Sequence, residues 1–196
     1  MEYSTTKSKP IFSKRKQSIS DFYAFISNRE DSNKYEFVEG NIQSSPKMVT
    51  AKQYFIYKNI STRFIVSKFY KQGWDIIAEK EFRTTHAQIR VPDISILNPN
   101  QVNKGLIGEH SLPEMIVEVV SDNDTLKSIE TKLFEYFKAG VKIVWAIVPE
   151  FELVYAYQSP VEVKIHSGTD ICIVCKSLKG LEISVGDIFL KPKNVA

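Results

Sequence analysis

Apolar residues recur at helical spacing between Thr50 and Gln72, where Tyr54, Ile56, Tyr57, Ile60, Phe64, Ile65 and Phe69 make one wide stripe. That period predicts a well-buried helix, ended by Gly73. A second pattern spans Pro113 to Pro149. Two near-continuous apolar runs, Met115–Val120 and Ile143–Val148, flank a helical segment from about Thr125 to Ala139 that closes at Gly140. Runs apolar on both faces suit parallel strands covered from both sides, joined by a right-handed crossover.

Shorter patterns fill the rest. Ser20 is placed to cap a helix over DFYAFISNR, with Phe22, Phe25 and Ile26 on one face. Tyr35–Val38, a turn at Glu39-Gly40-Asn41 and a return strand read as a hairpin. Trp74–Ala78 and Glu81–Thr85 read as short strands or one bent strand. Thr84–Ala87 is a turn, and Ala87–Leu97 a strand that Pro92 must bend or leave unpaired. Asn98–Ser111, rich in Asn and Gly, reads as a loop. After Pro149 come the alternating segments LVYAY, VEVKI and ICIVC, then a closing LEISVGDIFL.

The chain's 196 residues suffice for one domain over 19–192 behind a flexible basic tail, 1–18, that carries Lys7, Lys9, Lys14, Arg15 and Lys16. A net charge of +3 permits contact with nucleic acid without arguing for it. No apolar run is long enough to span a membrane, and the N-terminus has no apolar signal core. Two cysteines suit a reducing compartment, so a cytoplasmic protein with no membrane association is expected. Cys172 and Cys175 form a lone C-x-x-C; at strand period their thiols point to opposite faces, so buried thiols are expected and not zinc. His86, His110 and His166 match no motif and read as surface or loop residues.

The chemistry candidates are acids in segments that should be buried: Asp93 in IRVPDISIL and Glu118 in MIVEVV. A buried carboxylate is costly unless a cation or hydrogen-bond donors meet it. Hard divalent cations take such oxygen ligands, and magnesium takes one or two carboxylates with water and phosphate. Lys132 falls at the edge of the stripe Leu126, Ile129, Leu133, Tyr136 and Phe137. Counting rise per residue along strand and helix puts Lys132 level with Glu118. Two readings stand at this point. Asp93 and Glu118 meet over one metal ion with Lys132 completing the site, or the acids are structural ion pairs and Lys132 only snorkels.

YEFVEG, IRVPDISIL, PEMIVEVVS, the lysine in ETKLFEYFKAGV, IVWAIVP and LKGLEISVGDIFL together resemble the Uma-two (Uma2) family of restriction-endonuclease-like domains over about Ser20 to Leu190. The resemblance implies an α/β fold of the PD-(D/E)xK nuclease type, a restriction-endonuclease-like mixed β-sheet core flanked by helices. It implies a Mg2+ or Mn2+ cofactor at Asp93 and Glu118, with Lys132 standing where the general motif has a lysine two residues after the glutamate; Val120 occupies that place. Glu36 in YEFVEG matches another family acid, either an additional ligand or a structural group. The implied activity is metal-dependent endonuclease cleavage of DNA by a homodimer. Three positions depart from the family pattern: Lys52-Gln53 for His-Gln, Ser128 for Asp, and Glu39-Gly40 for Asp-Gly. They leave open the alternative of a catalytically weak or inactive nucleic-acid-binding module.

Overall fold

The computed structural model describes residues 16–31, 33–46 and 51–191. Most of the expected basic tail, residues 1–15, lies outside them. Helix α1 (Ile19–Ser27) is capped by Ser18, two residues earlier than the expected Ser20. Ser18 Oγ accepts the Asp21 N–H, and the Asp21 carboxylate accepts the Ser18 N–H at 2.8 Å. This reciprocal box satisfies two of the donors that a helix start leaves open. Strands β1 (Asn33–Val38) and β2 (Asn41–Pro46) form the expected hairpin, with Glu39 and Gly40 at φ +52° and +83° in its tight turn.

Helix α2 (Ala51–Ile65) is shorter than its apolar stripe suggests. Ile65 and Val66 are β-branched, Ser67 turns to extended geometry, and a separate α3 (Lys68–Lys71) follows. Of the stripe, Ile56, Ile60, Phe64 and Phe69 are buried, whereas Tyr54 and Ile65 are exposed. Then come β3 (Asp75–Ala78), β4 (Phe82–Thr85), β5 (Gln88–Arg90) and β6 (Ile94–Leu97). Pro92 does not bend one strand: β5 and β6 belong to different sheets, and the proline sits between them where no ladder donor is needed.

The expected loop after Asn98 is instead helix α4 (Pro99–Leu106). Asn98 Oδ1 accepts the Gln101 N–H at 2.9 Å, Gln101 Oε1 accepts the Asn98 N–H at 2.8 Å, and Pro99 occupies the first turn. Proline there costs no hydrogen bond. Strand β7 (Met115–Val119), helix α5 (Leu126–Ala139) and strand β8 (Ile143–Val148) match their apolar runs, and β7 and β8 are parallel. Gly140, at φ +113°, closes α5 in the left-handed conformation glycine adopts without strain. Strands β9 (Leu153–Ser159) and β10 (Glu162–His166) form a second hairpin. ICIVC is not a strand; it contributes only an isolated bridge from Ile171 to Ser184, ahead of α6 (Val185–Ile188).

The described residues divide into two units. One contains the chain up to residue 46 together with 81–91, as a four-stranded sheet ordered β2-β1-β5-β4. Phe22 of α1 packs there on Phe37, Ile42 and Ile89. The other contains 51–80 and 92–191, as a mixed six-stranded sheet ordered β10-β9-β8-β7-β6-β3. Its two faces bury different helices. Ile56, Ile60 and Phe64 of α2 cover Ile94, Met115, Val117, Ile143 and Trp145. Leu133 and Tyr136 of α5 cover Ile116 and Val144. The α/β fold with helices on both faces of a mixed sheet agrees with the sequence expectation. Among the described residues no helix is long and apolar enough to cross a membrane.

Candidate active site

Period two along β7 sends Val117 and Val119 toward α2, and Ile116 and Glu118 toward α5. Glu118 therefore enters an apolar layer, where it is 8% exposed. Helix α5 answers the charge with two side chains one turn apart. Lys132 Nζ donates to Glu118 Oε2 at 2.9 Å, and Tyr136 Oη donates to Oε1 at 2.5 Å. Both bonds are charge-assisted, which makes them shorter and stronger than neutral ones. Lys132 thus reaches the glutamate from the stripe edge, at the height that rise per residue suggested.

Beside this group lies a cavity of about 20 Å³, walled by Glu118, Asp124, Ile129, Lys132, Tyr136 and Ala146 among others. It has room for about one water molecule. Asp93 is not one of its walls. The last registered pair of β6 and β7 is Ile94 with Val117. Asp93 is the residue just before β6, outside that ladder. The Asp93 carboxylate accepts the Val119 N–H at 2.7 Å, and its carbonyl accepts the Glu79 N–H at 3.1 Å. These bonds hold the aspartate at the end of β7.

Glu36 lies in β1, in the first unit. Its Oε2 accepts from Arg90 Nη1 at 2.8 Å and its Oε1 from the Val91 N–H at 2.9 Å. Two of the three family departures have visible local roles. Ser128 completes the N-terminal box of α5 with Thr125, the position an aspartate would also serve. Lys52 pairs with Glu150 at 3.5 Å, both largely exposed, so the pair adds little stability.

Tyr136 is the group that sequence reasoning missed, since it read there as one more apolar contact. Two signals pointed to it: a buried tyrosine hydroxyl needs a partner, and Tyr136 lies four residues after Lys132 on the same helix face. His166 also differs from its expectation. It is buried on the inner side of β10, and its Nε2 accepts the Ile173 N–H at 3.3 Å. Burial, with the charge of Lys164, holds its pKa below the usual histidine range.

Cys172 is buried and Cys175 half-buried, in an irregular segment rather than a strand. Burial pushes the Cys172 thiol up to about 12 and raises that of Cys175 as well. Because the thiolate is the reactive form, both should label slowly in the native protein at pH 8 and at ordinary rates in urea. Rapid native labelling of Cys172 by a thiol reagent would contradict this burial.

The donor set can be weighed for a metal. Among the described residues no group of three His, Cys, Asp or Glu gathers, so a closed zinc-type cage has no counterpart. Carboxylate oxygens such as those of Asp93 and Glu118 suit a hard divalent cation that keeps most of its water.

The fold has a counterpart among solved structures. A protein from Anabaena variabilis, described as a putative nuclease, shares it with a TM-score of 0.71 and 20% sequence identity, over 84% of this chain and 94% of that one. No protein with a curated function matches the sequence. The Uma2 family, described as "putative restriction endonuclease", matches residues 19–186, including Asp93, Glu118, Lys132 and Tyr136. The chain belongs to the Uma2 family.

Proposed function

We propose that this protein is a metal-dependent endonuclease that hydrolyses phosphodiester bonds in DNA, acting in the cytoplasm as a homodimer. The observation that carries the reading is the contact between Lys132 and Glu118, which brings a helix cation to a strand carboxylate whose chain neighbour, Val119, donates its N–H to Asp93. Membership of the Uma2 family and the likeness to a protein described as a putative nuclease support the same class. Asp93 and Glu118 are the residues that would hold Mg2+ or Mn2+. Such an ion, when bound, supplies Lewis-acid polarisation of a phosphoryl oxygen and acidifies a bound water.

The chain's own groups supply the rest. Lys132 offers a positive charge for a phosphoryl oxygen or for the attacking water. Tyr136 fixes one oxygen of Glu118, so that the carboxylate keeps a single orientation. A second reading, a module that binds nucleic acid without cutting it, is favoured by one observation: both Glu118 oxygens already accept hydrogen bonds from α5.

Plasmid DNA incubated with the protein and Mg2+ or Mn2+ separates the two. Nicking is expected from the parent protein and not from Asp93→Ala, with DNA binding retained in both. Nicking that survives in Asp93→Ala would come from a contaminant and remove the support for chemistry. DNA binding without calorimetric metal binding would leave the second reading standing.

A further inference from the structure

The mixed sheet ends at β10, whose strand partner among the described residues is β9. The outer N–H and C=O groups of an edge strand are a template for another strand. Residues 162–165 are all exposed, and the period of a strand sorts them onto two faces. Val163 and Ile165, 43% and 51% exposed, stand on one face, and Glu162 and Lys164 on the other. Val161, in the turn just before, is 88% exposed. The opposite edge, β3, has no such pair: Ile76 is buried and Ile77 half-buried.

We infer that β10 pairs antiparallel with β10 of a second copy of this chain, about a two-fold axis at Val163. A symmetric antiparallel pair of identical strands must place its axis at one residue, so few registers exist. With the axis at Val163, that residue meets its own copy and Val161 meets the partner's Ile165. Glu162 then meets the partner's Lys164, twice by symmetry. With the axis at Lys164, the two ammonium groups stand face to face, and like charges directly opposed are destabilising. Charge thus disfavours axes at Glu162 and Lys164, and the axis at Val163 is the one that pairs Glu162 with Lys164.

Lysine within an edge strand ordinarily discourages pairing. Here Glu162, two residues away on the same face, turns it into half of a complementary pair. Two six-stranded sheets then join edge to edge. The inference rests on this edge alone and holds whether or not the protein cuts DNA.

Sedimentation equilibrium of the full chain tests it. The average mass should rise with concentration from 22.4 kDa toward twice that value. Glu162→Lys and Lys164→Glu each make both cross-strand charge pairs like-signed, and each alone should weaken association about tenfold or more. Mixed in equal amounts, the two variants again oppose unlike charges and should associate as the parent does, as a one-to-one pair. Both positions are exposed, so unchanged circular dichroism and melting will confirm the fold. A parent protein that stays at 22.4 kDa at all concentrations overturns the inference, as does dimerisation equally strong in both single variants or a mixture no better than either alone.

Discussion

Replacing Arg90 with alanine is expected to destabilise the first unit by about 3–5 kcal/mol. The size follows from burial: Arg90 is 4% exposed and Glu36 9%, so water screens little of what is lost. Without the guanidinium, the Glu36 carboxylate stays in the layer and loses the charged hydrogen bond from Arg90 Nη1. Glu36→Gln should cost less, because an amide oxygen can still accept the Val91 N–H. Replacing both residues with apolar ones of similar size should recover much of the loss, since burying a charge pair itself costs solvation. Both tryptophans, Trp74 and Trp145, lie in the second unit, so their fluorescence is the wrong probe. Amide exchange along β1 and β5, compared with β7 and β8, reads the effect locally. Protection of β1 within about 0.5 kcal/mol of the parent would place this pair among interactions of little consequence.

Nicking by Lys132→Met is expected to fall about 10²–10³-fold, the usual loss when one preorganised donor is removed from developing charge. Its stability cost should be smaller than at Arg90, because the Lys132 side chain is 21% exposed and partly screened. A second readout separates chemistry from folding. A ligand that binds only the native state raises its stability by about 2.7 kcal/mol at a hundred times its dissociation constant. Mn2+ should therefore raise the melting temperature of the parent and of Lys132→Met, but not of Glu118→Gln or Asp93→Ala. Thermal shifts intact in both carboxylate variants would move the metal elsewhere, and an unchanged rate in Lys132→Met would remove the lysine from the reaction.

The parts of the fold legible in the sequence are those where one period acts over a long stretch. The runs Met115–Val120 and Ile143–Val148, with the helix between them, gave strands and helix to within a residue or two. Lys132 could be placed near Glu118 because rise per residue is fixed in both elements. What failed was decided locally or at long range. The helix after Asn98 rests on an Asn-Pro-x-Gln cap, which the composition of the segment hid. ICIVC alternates like a strand but makes only an isolated bridge, since alternation does not supply a neighbour. Pro92 marked an interruption, but not that the strands on either side join separate sheets, because sheet membership depends on partners distant in the sequence. Tyr136 was read through its ring, and its hydroxyl mattered as much.

The four-stranded sheet draws its strands from two stretches separated by residues of the other unit. In a chain made from its N-terminus, β1 has only β2 to pair with until β5 has been synthesised, although α1, β1 and β2 are complete some forty residues earlier. The first hairpin must wait on the ribosome for the inner edge that finishes it. A protein shortened to begin at residue 49 would keep β4 and β5 yet lack the strand they dock against, leaving the Ile89 side chain without its packing partners Phe22, Phe37 and Ile42.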